Sequence, residues 1–590
     1  MNIKTIEDTL KKAYQNHQAN NFKEAEKLYR QILDADPEHL GSNYLLGSLF
    51  AQTKNFYEAK VLLQKALQID PNYADAHYNL GNVLTELKEI KEAILCFEKS
   101  ISINPKNADA NNNLGNLFKK IGKFGEAENL YKKAIEINPN YANAYNNLGT
   151  IFQKYKSYQE AIKLYKKTIQ LEPAFASAYN NLGLISHEIE EHQNAIKYYE
   201  EAINLKLDYA EAYSNLAKVY KELGNFKKTI SCFENAKKYD PDNLITLYYL
   251  SEFKNEILNL DLKTSVINII NNKNCSKINS AYGNFLLSFY ELRDSNYKKE
   301  MDYLLKGHDY YFDSQKEKFK NPIDYWIKVS SKINELIHFM KSNKVTNRKN
   351  DEIKPIFIIG VPRCGSTLVE KVIASGRKHI PTGEETGIFH SVVTDIINKN
   401  LSSISDFSYI EGKIFEKYNQ KRLIQANNDY TLTDKSLENT FYLQLIKEIF
   451  PNAKVIYCKR KPLSCIMSII KNNLTEVAWA HNLEHIFEYF NIFYKEIDNF
   501  KDNNPNFIYD LDYEKFVTDP EVESKKLLNF CDLPWDKRCL EFYKRKELIS
   551  FTASNIQIRQ AIYKNSIKKY SPYNDLLSNY VNKYPWFNTY

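Results

Sequence analysis

The chain has 590 residues and carries 80 lysines and arginines against 73 aspartates and glutamates, a net charge of +7. The length calls for two or more units, each able to bury a core, and the small charge, with lysine interleaved among acidic residues, excludes a nucleic-acid footprint. Eight cysteines (Cys96, Cys232, Cys275, Cys364, Cys458, Cys465, Cys531 and Cys539) form no CxxC and no zinc-spaced pairing with histidine, the pattern of scattered reduced thiols. The first element, MNIKTIEDTLKKAYQ, is a charged amphipathic helix with no apolar signal core. No run of about 18 apolar residues follows, so the expectation is a cytoplasmic protein without membrane contact.

The first 243 residues repeat with a period of 34. Pro37, Pro71, Pro105, Pro139, Pro173 and Pro241 keep the step, with Leu207 standing in once. Ala25, Ala59, Ala93, Ala127, Ala161 and Ala195 form a second series closed by Thr229, and Gly47, Gly81, Gly115, Gly149, Gly183 and Ala217 a third. Small residues allow paired helices to approach, and proline marks the hand-over between pairs, which predicts seven helical hairpins over residues 1–243. Each hairpin leaves an apolar face uncovered, so stacking buries a continuous core and winds the array into a superhelix with a concave surface. The pattern resembles the tetratricopeptide repeat.

Asn79, Asn113, Asn147, Asn181 and Asn215 recur at one place, immediately before the leucine of the first helix. Asparagine is a mediocre helix former, so the recurrence needs a reason. An amide offers both donors and an acceptor, and a row of them can hold an extended peptide by its backbone. The row resembles the asparagine ladder of the O-linked N-acetylglucosamine transferases and implies a protein or peptide partner on the concave surface. The structural alternatives are amides that cap or bridge neighbouring hairpins, or an asparagine-rich composition.

From Leu244 to about residue 350 the period is lost, although Ala281 to Tyr311 still reads as an amphipathic helical hairpin. Ser342 to Lys354 is polar and reads as a linker into a third region, 351–590. That region opens on KPIFIIGVPRCGSTL, Lys354 to Leu368: an apolar strand, Ile356 to Ile359, broken at Gly360 into a loop that restarts as a helix near Ser366. Gly360 and Gly365 let successive amides point into one concavity, towards which the helix turns its positive end, a design for phosphate. The spacing G-x4-G-S-T places Ser366 where a nucleotide triphosphatase has lysine, and the cation stands upstream at Arg363. Such a loop suits a terminal 5′-phosphate better than a triphosphate with magnesium.

The loop is followed by HIPTGEET, His379 to Thr386, and the combination looks like the tyrosylprotein sulfotransferases and, more widely, the bacterial sulfotransferases that use 3′-phosphoadenosine-5′-phosphosulfate, often fused to tetratricopeptide repeats. The resemblance covers roughly Lys354 to Tyr570. It implies an α/β domain with a mainly parallel sheet, helices on both faces and the cofactor at the strand ends. It also implies cofactor contacts from Arg363, Cys364, Gly365, Ser366 and Thr367; a 3′-phosphate clamp of Arg460 with Ser468 eight residues later; and further contacts from Tyr513, Ser554 and Lys569. Lys435 takes the position of the catalytic lysine and Glu385 that of the base, with Glu384 as fallback. In-line transfer to an acceptor hydroxyl needs a positive field, supplied by Arg363 and Lys435, and a carboxylate to take the proton. No metal is implied.

Two departures limit the comparison. Gly387 stands where the tyrosylprotein enzymes have an arginine that engages acidic peptides, and Asn472 where a cofactor-site arginine follows the clamp. The expected activity is therefore sulfuryl transfer to a hydroxyl, most plausibly on a polypeptide recruited by the repeats, with a carbohydrate, lipid or small-molecule hydroxyl as alternative acceptor. A P-loop kinase would need a lysine after Gly365 and a magnesium carboxylate, neither of which is evident. A repeat scaffold with an inactive domain would not need Arg363, Glu385, Lys435, Arg460 and Ser468.

Overall fold

The computed structural model describes residues 3–319, 332–333, 335–338, 353–376, 380–398, 407–424, 430–545, 559–562 and 569–590. The chain divides into two compact units, Met1–Leu216 and Ala217–Tyr590.

In the first unit, helices of 14 and 13 residues alternate from Phe22–Ala35 and Leu40–Gln52 onward. The residue before each proline is pushed towards extended backbone, which stops the preceding helix. Asp36 (φ −141°, ψ 87°) and Asp70 (φ −129°, ψ 96°) show this directly before Pro37 and Pro71. Within a hairpin the glycine series is a packing requirement. A methyl group on Gly149 would lie 2.6 Å from the Tyr165 ring, and one on Gly183 the same distance from Tyr199. Ala161, Tyr165, Ala195 and Tyr199 are fully buried around these contacts.

The second unit begins with helices, among them Phe226–Tyr239, Leu260–Asn271, Lys277–Arg293 and Tyr297–Ser314; the last two are the hairpin expected from Ala281 to Tyr311. The expected linker lies outside the described residues up to 352. There follows a four-stranded, wholly parallel sheet of β1 (Ile353–Ile359), β2 (Tyr430–Asp434), β3 (Lys454–Lys459) and β4 (Ile508–Asp512), in the order β2, β1, β3, β4. Ile356 to Ile359 and Val455 to Cys458 are at most 2% exposed, the continuous apolar run of strands covered on both faces. Among the described residues no helix is long and apolar enough to cross a membrane.

Candidate active site

Parallel pairing brings the four strands to an end along one edge, and ligands in open parallel sheets bind outside those carboxyl ends. The register sets Phe357 beside Asp434, Ile359 beside Tyr457 and Lys459 beside Asp512. The residues that come next are therefore Gly360, Lys435, Arg460 and Tyr513, so one edge collects side chains drawn from more than 150 positions of sequence.

The loop after β1 is held in a conformation that side chains seldom adopt. Arg363 has φ +70° and Gly365 φ +102°. The glycine is obligatory because any Cβ there would collide with the Tyr513 ring. Arg363 Nε donates to Ser468 Oγ (3.0 Å), and Arg460 Nη1 donates to the Arg363 carbonyl (2.7 Å). The Arg460 guanidinium carbon lies 4.3 Å from the centre of the Tyr513 ring. Ser468 sits on the helix Pro462–Asn472 that follows β3. Arg363, Gly365, Arg460, Ser468 and Tyr513 thus form one cluster. Arg460 Nε is buried and has no hydrogen-bond partner among the described residues, an unspent cationic donor of the kind an anion satisfies. Ser366 and Thr367 open the helix Ser366–Ala374, whose first amides have no partner inside the helix.

On the other side of β1 the adjacent glutamates part company. The Glu384 backbone takes φ +46° and turns its carboxylate inward, onto Lys371 Nζ (2.7 Å), in a pair whose side chains are 1% and 10% exposed. Glu385 points the other way, 47% exposed, with Oε1 3.1 Å from Lys435 Nζ. Burial opposes the charge on Lys435, yet Glu385, Glu370 and Glu384 around it hold its pKa above the ordinary lysine value. Glu385 is thus a carboxylate open to solvent and held beside a buried, charged lysine.

Two residues that the sequence reading passed over lie around this pair. Asp434 is fully buried and its carboxylate accepts from Tyr418 Oη (2.7 Å), Thr386 Oγ1 (3.1 Å), Ser436 Oγ (2.7 Å), Ser436 N (3.1 Å) and Asn439 Nδ2 (2.8 Å). Thr386 follows Glu385 and Ser436 follows Lys435, so Asp434 ties both halves of the pair to one anchor. Glu438 lies close by, and burial, with the charges of Glu385 and Asp434, pushes its pKa up to about 7. The only sequence signal was the adjacency of Asp434 to Lys435 in TLTDKSLEN; Glu438 gave none.

The remaining expected residues fall differently. The Cys364 thiol is wholly buried, where a bond with the Cys458 thiol, ahead of the opposing effect of burial, lowers its pKa. Its amide donates to the Val361 carbonyl (3.2 Å), so Cys364 packs beneath the loop. Ser554 lies outside the described residues. Lys569 is exposed, 5.4 Å from the Tyr570 ring, whose phenol bears electrostatically on Arg460. Asn472 donates to the Ser468 carbonyl (2.6 Å), and the Cα of Gly387 faces open space.

In the repeats the recurrent amides bridge hairpins. Asn147 Nδ2 donates to Asn112 Oδ1 (2.9 Å), Asn181 to Asn146 (3.1 Å) and Asn215 to Asn180 (3.2 Å). Asn113 donates to Asn82 Oδ1 (2.9 Å) and Asn79 to Ser48 Oγ (2.9 Å). Asn79, Asn113, Asn147 and Asn181 remain partly exposed, and Asn215 is buried.

Residues 355–537 match the family model described as "Sulfotransferase family", and tetratricopeptide-repeat models together cover 47–243. A protein of Aquifex aeolicus is 31% identical over 251 residues, which is 40% of this chain and 33% of that protein. Protein-tyrosine sulfotransferase A of Caenorhabditis elegans is 25% identical over 212 residues, 31% of this chain and 51% of its own length. The chain thus spans between a third and about half of these relatives. Among solved structures, the crystal structure of MamA is 26% identical over 30% of this chain and 98% of its own, with a TM-score of 0.27.

Proposed function

We propose, from the match of residues 355–537 to the sulfotransferase family model and of 47–243 to tetratricopeptide-repeat models, that the protein transfers a sulfuryl group from 3′-phosphoadenosine-5′-phosphosulfate to a hydroxyl on a polypeptide recruited by the repeats. The observation that carries this reading is the junction of Arg363, Ser468, Arg460 and Tyr513 around the loop, with Arg460 Nε left without a partner among the described residues.

The residues present fit the phosphosulfate. Arg460 and Ser468 would hold its 3′-phosphate, with Lys569 and Ser554 as further contacts, and the loop from Arg363 to Thr367 its 5′-phosphate. When bound, the cofactor supplies the sulfuryl group and a leaving phosphate. Arg363, Lys435 and the first amides of Ser366–Ala374 provide the fixed positive field in which negative charge develops. Glu385 accepts the proton from the acceptor hydroxyl at a carboxylate oxygen, and Lys435, held charged by its acidic neighbours, keeps that carboxylate in place. Glu384, closed in its pair with Lys371, has no such role.

The acceptor is proposed as a protein hydroxyl because the repeat region is of a kind that holds peptides. A carbohydrate or lipid hydroxyl is favoured by one observation, the bare Gly387 where a cation for acidic peptides would stand.

The test is calorimetric titration of the full chain with 3′-phosphoadenosine-5′-phosphate and, separately, with ATP and magnesium, repeated on Arg460→Ala. Micromolar binding of the bisphosphate, abolished by the substitution, with ATP inert, is the expected result. Binding of ATP without the bisphosphate would replace this reading with a kinase-like one.

A further inference from the structure

One turn beyond Ser468 on the helix Pro462–Asn472, Lys471 enters a buried polar triangle. Its Nζ lies 2.6 Å from Glu300 Oε1 and donates to Tyr573 Oη (2.6 Å), and Tyr573 Oη donates in turn to Glu300 Oε2 (2.5 Å). Glu300 is 2% exposed, Tyr573 1% and the Lys471 side chain 14%. Lys471 Nζ also stands 4.5 Å from the centre of the Tyr573 ring and 5.8 Å from that of Tyr570. The Tyr297 ring, on the same helix as Glu300, packs edge-on against Tyr573 (5.2 Å).

The triangle joins three stretches far apart in sequence: the helix Tyr297–Ser314, the helix that carries Ser468, and residues 569–573. Glu300 and Tyr573 both lie outside the residues 355–537 that match the sulfotransferase model. Burial opposes the charge on Lys471 and lowers its pKa, and the bond to Glu300 works against that shift. A buried ion pair adds little to stability over apolar packing of the same volume. Three directional hydrogen bonds, by contrast, fix one placement of Tyr573 against both helices.

That placement reaches the cofactor residues. The Tyr573 amide donates to the Tyr570 carbonyl (3.0 Å), so where Tyr573 is held Tyr570 follows. Tyr570 is buried, and its phenol bears electrostatically on Arg460, whose Nε is without a partner among the described residues. Lys569 bears on Lys471 in the same way. Ser468, one turn before Lys471, accepts from Arg363 Nε.

We infer that Glu300, acting through Lys471 and Tyr573, is a positioning residue for the 3′-phosphate side of the site, where it sets Tyr570 and Lys569 against the clamp of Arg460 and Ser468. The inference rests on the sulfotransferase reading of that site. It makes the helix Tyr297–Ser314 part of the working enzyme, although that helix precedes every residue expected to touch the cofactor.

The experiment is calorimetry on the full chain with 3′-phosphoadenosine-5′-phosphate and with adenosine 5′-phosphate. Wild type is compared with Tyr573→Phe and with a triple variant, Glu300→Leu, Lys471→Met and Tyr573→Phe, which fills the same space with apolar side chains. Each variant should bind the bisphosphate about five- to tenfold more weakly. Adenosine 5′-phosphate lacks the phosphate that the clamp holds, so its binding should be unchanged. Melting curves should place the triple variant at or above wild type, which separates positioning from loss of fold. Should the triple variant melt lower, Tyr573→Phe, which removes one hydroxyl, decides by itself. If wild type binds no bisphosphate, the sulfotransferase reading falls and this inference with it. If wild type binds it and both variants match wild type, or if both nucleotides weaken to the same extent, this inference alone is overturned.

Discussion

The repeats and the strand ends of the sheet use polar side chains in opposite ways. In the first unit each recurrent asparagine donates an amide proton to a neighbouring hairpin. At the strand ends, Arg460 Nε is without a partner among the described residues and Glu385 is half exposed. The recurrent amides are tied to protein partners, whereas Arg460 and Glu385 keep polar atoms open to a further group. Glu384 and Glu385 repeat this contrast side by side and offer the largest test of it. Glu385→Gln should cut turnover by about 10²–10⁴-fold, with a smaller loss of stability than at Glu384, because Glu385 is half exposed and Glu370 and Glu384 still surround Lys435. Glu384→Gln removes a charge-assisted hydrogen bond to the buried Lys371, which still has Glu370 beside it, so it should cost about 1.5–3 kcal/mol of stability. Steady-state kinetics and denaturant unfolding on the two variants give the answer, and an exchange of phenotypes would move the base to Glu384.

Asp434 lies between the two categories, since its bonds are all satisfied yet they fix the acting pair. Asp434→Asn substitutes an amide donor where the carboxylate met only donors, so some of its five contacts must be lost. We expect kcat to fall about tenfold, with stability lower by about 1–3 kcal/mol and bisphosphate affinity unchanged. A KM-against-kcat split separates positioning from general loosening: a loss confined to stability, at full kcat, would remove Asp434 from the mechanism.

The bridging amides sharpen the comparison from the other side. Asn147→Ala and Asn181→Ala should each cost about 0.5–1.5 kcal/mol, because each removes one inter-hairpin hydrogen bond. If the partly exposed amides also hold a polypeptide, KM for a long peptide acceptor should rise in the double variant while a short acceptor is transferred as before. Lowered stability with both KM values unchanged would make the row a bridge and nothing more.

The same contrast governs what could be read in advance. Repeats are local, so their period, their prolines and the close approach at Gly149 and Gly183 stand in the sequence as spacing. The cluster of Arg363, Arg460, Ser468 and Tyr513 was legible for a related reason: parallel strands end on one edge, and residues just beyond apolar runs must meet there. Illegible were the features that depend on which side chain turns inward. Nothing in GEET says that Glu384 takes φ +46° and pairs with Lys371, or that the Cys364 thiol packs against Cys458. The Asp434 anchor joins residues from 386 to 439, and the buried triangle joins Glu300 to Tyr573, distances over which no short pattern operates.

Glu438 provides the smallest effect and the one with a defined pH range. Its folded pKa is raised, by burial first, from the usual 4.5 to about 7. A carboxyl raised in this way is favoured in its protonated form by the fold. Its contribution to stability is complete below about pH 4.5 and is lost as pH rises through about 7. Glu438→Gln keeps the neutral shape at every pH, so the variant should match wild type in acid and melt at a higher temperature above pH 7. The ionised Glu438 also acts on Glu385 in the folded protein, so the same substitution removes a like charge from beside the proposed base and should change kcat above pH 7 more than below it. Melting curves and kcat against pH on the two proteins test both consequences; parallel melting curves across the range would mean that Glu438 ionises as an ordinary surface carboxylate.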